Sequence, residues 1–167
     1  MTSASKVYAD ATALIGLSRI DRLDLLRLLP APIGVTSRVW EEVTANPAKP
    51  GVPELMKARE EGLLAVVEEG DADAYPQLDA GESTVLTAAA AARAAVLVDE
   101  RKARALIEQD AVLRRAITHA GGIVGLILLA KRTGLIPAVR PLLDDLTRQS
   151  FRISPALYER VLREAGE

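Results

Sequence analysis

The chain contains no cysteine, one histidine and very few aromatic side chains. Among its 167 residues only His119 carries an imidazole, and Phe, Trp and Tyr together make up 3%. The lack of cysteine excludes disulfides and thiolate metal sites, and a single histidine excludes a zinc centre built from several imidazoles. Any metal ion must therefore be a hard cation held by carboxylates. Contact with nucleic acid would rest on charge and hydrogen bonds rather than on rows of stacked bases.

The sequence also lacks long apolar runs and a strong excess of charge of one sign. Hydrophobic residues make up 49% and charged residues 26% of the chain, and the net charge is −2. The opening residues, MTSASKVYAD, have neither the apolar core nor the cleavage pattern of a secretion signal. We expect a cytoplasmic globular protein without a membrane segment, and the length fits a single domain over residues 1–167. The small net charge excludes a strongly basic coat but is compatible with a local basic surface.

Short apolar segments alternate along the chain with patterns of helical periodicity. Strands are predicted at 6–9, 33–35, 63–67 and 94–98, and helices at about 79–92, 102–117 and 123–132. Two further helices, near 139–149 and 155–165, form a C-terminal helical extension that begins at about residue 137. The alternation predicts an α/β fold in which a small parallel sheet is flanked by helices.

Four acidic side chains stand at or near the ends of these strands. Asp10 and Asp99 each follow a predicted buried strand and precede a helix. The carboxyl ends of parallel strands lie along one edge of a sheet, where α/β folds place their sites. Glu82 opens the helix before the Asp99 strand, and Glu42 lies in the helix after the second strand. If these carboxylates converge they repel one another, and a divalent cation such as Mg²⁺ or Mn²⁺ removes that cost.

The same residues have a simpler interpretation as helix caps. Asp is a common N-cap residue, which would account for Asp10 and Asp99 separately. Asp79 and Glu82 have the spacing of a capping box, and Glu42 would then be a solvated residue on a helix surface. Residue type and spacing leave both interpretations open.

The order of several short strings resembles that of PIN-domain proteins. They are DATALI at 10–15, VWEEV at 39–43, LDAGE at 78–82 and LVDERKAR at 97–104, followed by AKRTGLIPAVRPLL at 130–143 and FRISPALY at 151–158. Within that family they resemble a prokaryotic PIN-like subfamily related to the toxins of VapBC-type toxin–antitoxin pairs. The resemblance covers nearly the whole chain.

The resemblance implies a function and a set of site residues. It implies the PIN-like fold and hydrolysis of RNA phosphodiesters at a Mg²⁺ or Mn²⁺ site, as a toxin or as a housekeeping nuclease. Glu42 matches the second acid of the pattern better than its neighbour Glu41 does. The implied partners are an RNA substrate, a second copy in a homodimer and a small antitoxin that occupies the acidic groove. Four acids and one hydroxyl form the implied catalytic site: Asp10, Glu42, Glu82, Asp99 and Thr12.

Basic residues around the last acid are candidates for RNA contact. Arg101, Lys102 and Arg104 follow Asp99, and Arg93 precedes its strand. Contacts from these side chains to RNA phosphates would make binding depend on salt. Arg and Lys on helix surfaces also commonly face solvent alone.

One segment departs from the family pattern. Where related sequences tend to have Gly-Thr-x-Gly, this chain has GIVG at 122–125, so a hydroxyl near the site is missing. Its loss would weaken metal binding or change which metal is used. This departure keeps open a second interpretation, a catalytically weak or inactive PIN-like module that binds RNA or protein. A third, a receiver-like α/β domain, requires a paired acid beside the first strand and a Lys after a late strand, and neither is convincingly placed.

Overall fold

The computed structural model describes residues 5–167, which contain one sheet of five parallel strands. The strands are β1 (Val7–Ala9), β2 (Ile33–Thr36), β3 (Leu64–Val67), β4 (Ala95–Leu97) and β5 (Ala120–Gly121), in the order β3-β2-β1-β4-β5. Every neighbouring pair is parallel, so all strands end at the same edge of the sheet. This is the α/β fold that the sequence predicts.

Helices cover both the connections between strands and the C-terminal part of the chain. In the described part of the chain they are α1 (Ala11–Arg19), α2 (Ser37–Thr44), α3 (Val52–Glu60), α4 (Ala80–Ala92), α5 (Arg101–Gln109), α6 (Ala111–Ala116), α7 (Ile123–Arg132), α8 (Arg140–Arg148) and α9 (Pro155–Ala165), with a 3-10 helix at Leu23–Leu28. None of these helices of residues 5–167 is long and apolar enough to cross a bilayer.

Strand β5 was not predicted, because it is only two residues long and has no apolar run. Strand β5 is defined by its hydrogen bonds with β4. The Val96 N–H donates to the carbonyl of His119 at 2.8 Å, and the Val98 N–H donates to the carbonyl of Gly121 at 2.8 Å. The strand therefore depends on a long-range neighbour rather than on local sequence preference.

The helix predicted over 102–117 is wrong in one respect, because Asp110 divides it into α5 and α6. The Asp110 carboxylate accepts the backbone N–H groups of Val112 at 2.9 Å and Leu113 at 3.0 Å and so caps the start of α6. Asp offers its oxygen to nearby backbone groups and thereby competes with helix continuation.

The central strands bring the two strand-end acids together. β1 is buried throughout and lies between β2 and β4, with Ala9 opposite Leu97. Asp10 and Asp99 therefore leave the sheet from neighbouring strands. The start of α4 is held against the end of β2 by a hydrogen bond of 2.8 Å between the buried hydroxyls of Thr36 and Thr84.

Helices α8 and α9 pack on the same apolar core as the sheet. Leu143 and Leu146 of α8 and Val161 and Leu162 of α9 belong to this core, and α9 lies against α7. The predicted helices at 139–149 and 155–165 are confirmed in position. Their packing places α9 beside the carboxyl edge of the sheet, near the end of α7 that follows β5.

Candidate active site

Asp10 lies almost fully buried where β1 passes into α1. Its side chain is 2% exposed. One carboxylate oxygen accepts the Ala13 N–H at 2.7 Å, and the other accepts the backbone N–H of Asp99 at 3.3 Å. Asp10 is thus the N-cap of α1, as the simpler interpretation predicted, and it is also tied to the end of the neighbouring strand.

Asp99 does not cap the helix that follows it. Glu100 occupies the N-cap position of α5 and makes no side-chain capping bond. The Asp99 oxygens instead accept the Ile123 N–H, at 3.0 and 3.2 Å, at the start of α7. Gly122 permits this approach, because a β-carbon at that position would overlap Asp99 Oδ1. The interpretation of Asp99 as a local N-cap is therefore wrong, since it caps a helix 24 residues further along the chain.

Glu82 is half-buried and forms a capping box with Asp79. The Glu82 N–H donates to Asp79 at 2.8 Å, and the Asp79 N–H donates to Glu82 at 3.3 Å. The simpler interpretation of this pair is confirmed. Capping leaves Glu82 in the first turn of α4, on the side of the sheet edge where Asp10 lies.

Glu42 is exposed on α2 and faces the start of α4. A β-carbon at Gly81 would lie 3.2 Å from Glu42 Oε2, so the glycine allows the carboxylate to sit against the first turn of that helix. The charge of Glu42 acts on Glu82, and the charges of Glu82 and Asp99 act on Asp10. We call Glu42, Glu82, Asp10 and Asp99, in this order of electrostatic contact, the row of acids.

The pKa values of the two strand-end aspartates are set mainly by burial. Burial raises the pKa of Asp10 to about 8, helped by the charges of Asp99 and Glu82 and opposed by the N–H groups of Ala13 and Asp99. Burial likewise raises the pKa of Asp99 to about 6, opposed by the Ile123 N–H and by the charge of Arg104.

The two glutamates show the same direction of change. Burial raises the pKa of both Glu42 and Glu82, and the charge of Asp79 raises each of them further. The charges of Glu100 and Glu42 add to the effect at Glu82, whereas the charge of Arg38 opposes it at Glu42. The edge is therefore a place where an added positive charge would be stabilised.

The donor chemistry fits a hard divalent cation. The row offers carboxylate oxygens only, which suit Mg²⁺ or Mn²⁺, and each ionised carboxylate keeps free lone pairs beside the N–H bonds that it accepts. Within residues 5–167 no group of three or more Asp, Glu or His side chains is already spaced to hold a metal ion. Binding would therefore require the glutamates to move toward the fixed aspartates.

The other predicted residues lie at different distances from this row. Thr12 is exposed in the first turn of α1, directly after Asp10 and Ala11. Arg101 and Lys102 are exposed in the first turn of α5, and Arg104 lies beside Asp99 and Gly122. Thr12 and the start of α5 thus follow closely after the two strand-end aspartates, and the roles of these side chains stay predictions.

Arg93 is not brought to the acidic edge. It is the C-cap of α4, with a left-handed φ of 51°, and it stands before β4. A parallel strand carries the chain from one edge of the sheet to the other, so Arg93 lies at the edge opposite Asp99. Arg93 is thus set apart from Arg101, Lys102 and Arg104, and its contact with RNA stays a prediction.

The sequence interpretation missed basic and aromatic side chains from the C-terminal segment. Phe151, Arg152 and Arg160 line a cavity together with Asp99 and Arg104. The string at 151–158 entered only as a family resemblance, and no spacing rule connects it with an acid some 50 residues earlier in the chain. Only the docking of α9 against α7 reveals this neighbourhood.

These features define a class of protein, an α/β fold with an all-parallel sheet and a row of acids at its carboxyl edge. A family model described as a PIN domain (DUF3368) matches residues 6–167, and the chain belongs to this family. PIN domains are generally nucleases, so membership indicates a nuclease-type hydrolase. No curated protein and no solved structure matches the chain. The relation to VapBC-type toxins stays a prediction.

Proposed function

We propose that the protein is a ribonuclease that depends on Mg²⁺ or Mn²⁺ and cuts RNA phosphodiesters at the row of acids. The observation that carries this proposal is the pairing of Asp10 and Asp99 at the ends of neighbouring strands, where both have raised pKa values. Burying two carboxylates side by side is costly for a protein without a cation, and nucleases of this family typically use divalent metals.

In this proposal each acid has a role set by its position. Asp10 and Asp99, held by backbone N–H groups, would form the fixed part of the metal site, and Glu82 and Glu42 would complete it from their helices. The bound cation would supply an activated water and neutralise charge on the phosphate. Thr12, exposed beside Asp10, would orient a carboxylate or a water by its hydroxyl.

Basic residues around the row would bind the RNA strand. Arg101, Lys102 and Arg104 stand next to Asp99 and would contact phosphates on either side of the bond that is cut. Arg93 would contact RNA only if the strand continues around the opposite edge of the sheet. A homodimer and a small antitoxin that covers the acidic row are further parts of the proposal, as are a toxin role and a cytoplasmic location.

A second candidate is a PIN-like module that binds RNA or protein without cutting. Two observations favour it: no three acids of the described residues are spaced for a metal ion, and the segment 122–125 has no hydroxyl. Under this proposal the aspartates act as caps alone. It therefore requires that added cation neither binds nor stabilises the protein.

Cleavage of a mixed pool of structured RNAs tests the first proposal. The native protein should cut with Mn²⁺ or Mg²⁺ and not with EDTA, and Asp10→Asn should lower the rate by about 100-fold or more, since even residues behind a metal ligand cost 10- to 100-fold. Glu42→Gln and Glu41→Gln form a matched pair of neighbours, and only the first should reduce cutting. Equal cutting by native protein and Asp10→Asn would contradict the proposal.

A further inference from the structure

A cavity of about 370 Å³ opens beside the acidic row. It lies between the start of α7 and helix α9, and Asp99 and Arg104 form its wall on the side of the acids. Phe151, Arg152 and Arg160 form the wall on the side of α9. The volume lies within the range of sites that enclose a small ligand.

The charged groups that line the cavity are mostly positive and unpaired. Arg104, Arg152 and Arg160 form no ion pair with any other residue of 5–167. Glu164, an acid on the lining besides Asp99, is 4.0 Å from Arg132. Unpaired guanidinium groups have the planar donor geometry that matches phosphate oxygens. Arg152 and Arg160 therefore offer free donors to an anion on the side of α9, whereas the charge of Arg104 acts on Asp99.

The aromatic ring on the lining comes from Phe151. One edge of the ring packs toward α1, because a β-carbon at Gly16 would lie 3.4 Å from its Cδ2. The residue is only half-buried, and it also lines the cavity. The single Phe of the chain thus stands on the same wall as Arg152 and Arg160, where its ring offers a surface on which a base can stack.

Gly125 keeps the cavity open. It lies in the interior of α7, where glycine is among the least favourable residues. No atom lies within 4 Å of a β-carbon placed on it, so packing does not require a glycine there. The bare backbone of Gly125 lines the cavity, and a β-carbon at this position would meet open space.

We infer that this cavity holds one unpaired nucleotide of the RNA strand, next to the bond that is cut. Arg152 and Arg160 contact its phosphate, Phe151 stacks on its base, and Arg104 contacts the phosphate nearest the acids. A cleft of this size admits a base that is splayed out of a single strand, whereas a base paired within a helix is not free to enter it. The inference rests on the proposed ribonuclease function and adds the place in the fold where an unpaired nucleotide is held.

Binding of a short, fluorescein-labelled single-stranded RNA in EDTA tests the inference, because no cleavage occurs under these conditions. Fluorescence anisotropy would give the affinity at several salt concentrations. Arg160→Ala should weaken binding and lower the slope of log affinity against log salt by about 0.7, the value for one lost phosphate contact on a single strand. Arg163→Ala is the matched control, since Arg163 lies on the same helix, is exposed and does not line the cavity.

Two further variants separate the shape of the cavity from its charge. Gly125→Leu should abolish most of the binding while the protein stays folded, whereas Gly125→Ala, which adds one methyl group, should bind nearly as the native protein does. Phe151→Leu keeps an apolar contact with α1 and should weaken binding by about fivefold or more through loss of base stacking. Duplex RNA of the same sequence should compete poorly with the labelled strand.

The outcomes distinguish this inference from the proposed function. Native-like binding by both Arg160→Ala and Gly125→Leu would overturn the inference, even if the native protein cuts RNA with Mn²⁺. Equal competition by duplex RNA would overturn the preference for unpaired nucleotides. If the variants lose binding as expected but the native protein cuts no RNA with Mn²⁺, the inferred nucleotide site is supported and the proposed nuclease activity is contradicted. If the native protein neither binds nor cuts RNA, both the inferred nucleotide site and the proposed function are contradicted.

Discussion

Asp10 and Asp99 leave the sheet itself, whereas Glu82 and Glu42 project from helices beside it. The aspartates are held by backbone N–H groups of Ala13, Asp99 and Ile123, and Asp10 is almost completely enclosed. The glutamates are more exposed. The two aspartates at the strand ends are thus held in fixed positions, whereas the two glutamates on the helices are free to adjust. A cation would therefore bind to two preformed ligands, and the two glutamates would move to complete its coordination.

Substitution of an aspartate should lower the metal affinity more than substitution of a glutamate. This is the largest effect that we expect. Asp99→Asn should lower Mn²⁺ affinity by about 100-fold, because it removes a fixed ligand, and Glu42→Gln by about 10-fold, because water can replace a mobile one. Titration calorimetry of the two variants and the native protein measures both. Equal losses at the two positions would show that the halves of the row do not differ in this way.

The stability of the metal-free protein should fall as the pH rises from about 4 to 8. The folded-state pKa of Asp10 is raised from 3.8 to about 8 and that of Asp99 from 3.8 to about 6. The unfolded chain releases these protons first, so the penalty is absent below pH 4, grows through the window and is constant above about pH 8. Asp10, whose pKa is raised further, contributes the larger share of this loss.

Thermal unfolding in EDTA at several pH values checks this expectation. Asp10→Asn should flatten the profile, because the ionisable group that contributes most has been removed. Mn²⁺ at about 100 times its Kd should restore roughly 2.7 kcal/mol at pH 8, or some 5–10 °C in Tm. A profile that rises through this window in the native protein would contradict the burial of the aspartates as charged groups.

Two glycines of one segment should respond in opposite directions. Gly122→Ala would push a β-carbon into Asp99 Oδ1 and should cost about 1–3 kcal/mol of unfolding free energy. Gly125→Ala meets nothing within 4 Å and should add up to about 1 kcal/mol through helix propensity. Urea denaturation measures both changes. Destabilisation by Gly125→Ala would mean that packing, not an open cavity, requires that glycine.

The smallest effect that we expect follows from removal of the capping box that Asp79 forms with Glu82. Asp79→Ala should lower stability by about 1 kcal/mol, because α4 loses the acceptor for the Glu82 N–H. The freed Glu82 side chain should then bind Mn²⁺ no worse than before. Chemical denaturation and calorimetry on the same variant test this, and a large loss of metal affinity would instead assign Asp79 a direct part in the site.

Local sequence patterns predicted most elements, but not those that depend on distant partners. The four apolar segments became β1 to β4, and the Asp79–Glu82 spacing became a capping box. Strand β5 was not predicted because its two residues, Ala120 and Gly121, form a strand only through their pairing with β4. The break at Asp110 was missed because the apolar periodicity continues across it, although its side chain caps the next helix.

The sequence by itself determined a parallel α/β fold and which acids terminate its strands, because strand ends and apolar periodicity are local properties. Tertiary structure decided the rest. The register of β1 with β4 placed the Asp10 carboxylate beside the Asp99 N–H. The packing of α7 brought the Ile123 N–H, which is distant in sequence, to the Asp99 carboxylate. Strand direction sent Arg93 to the opposite edge. The docking of α9 brought Arg160 to the acids, since contacts between distant segments follow from packing rather than from spacing.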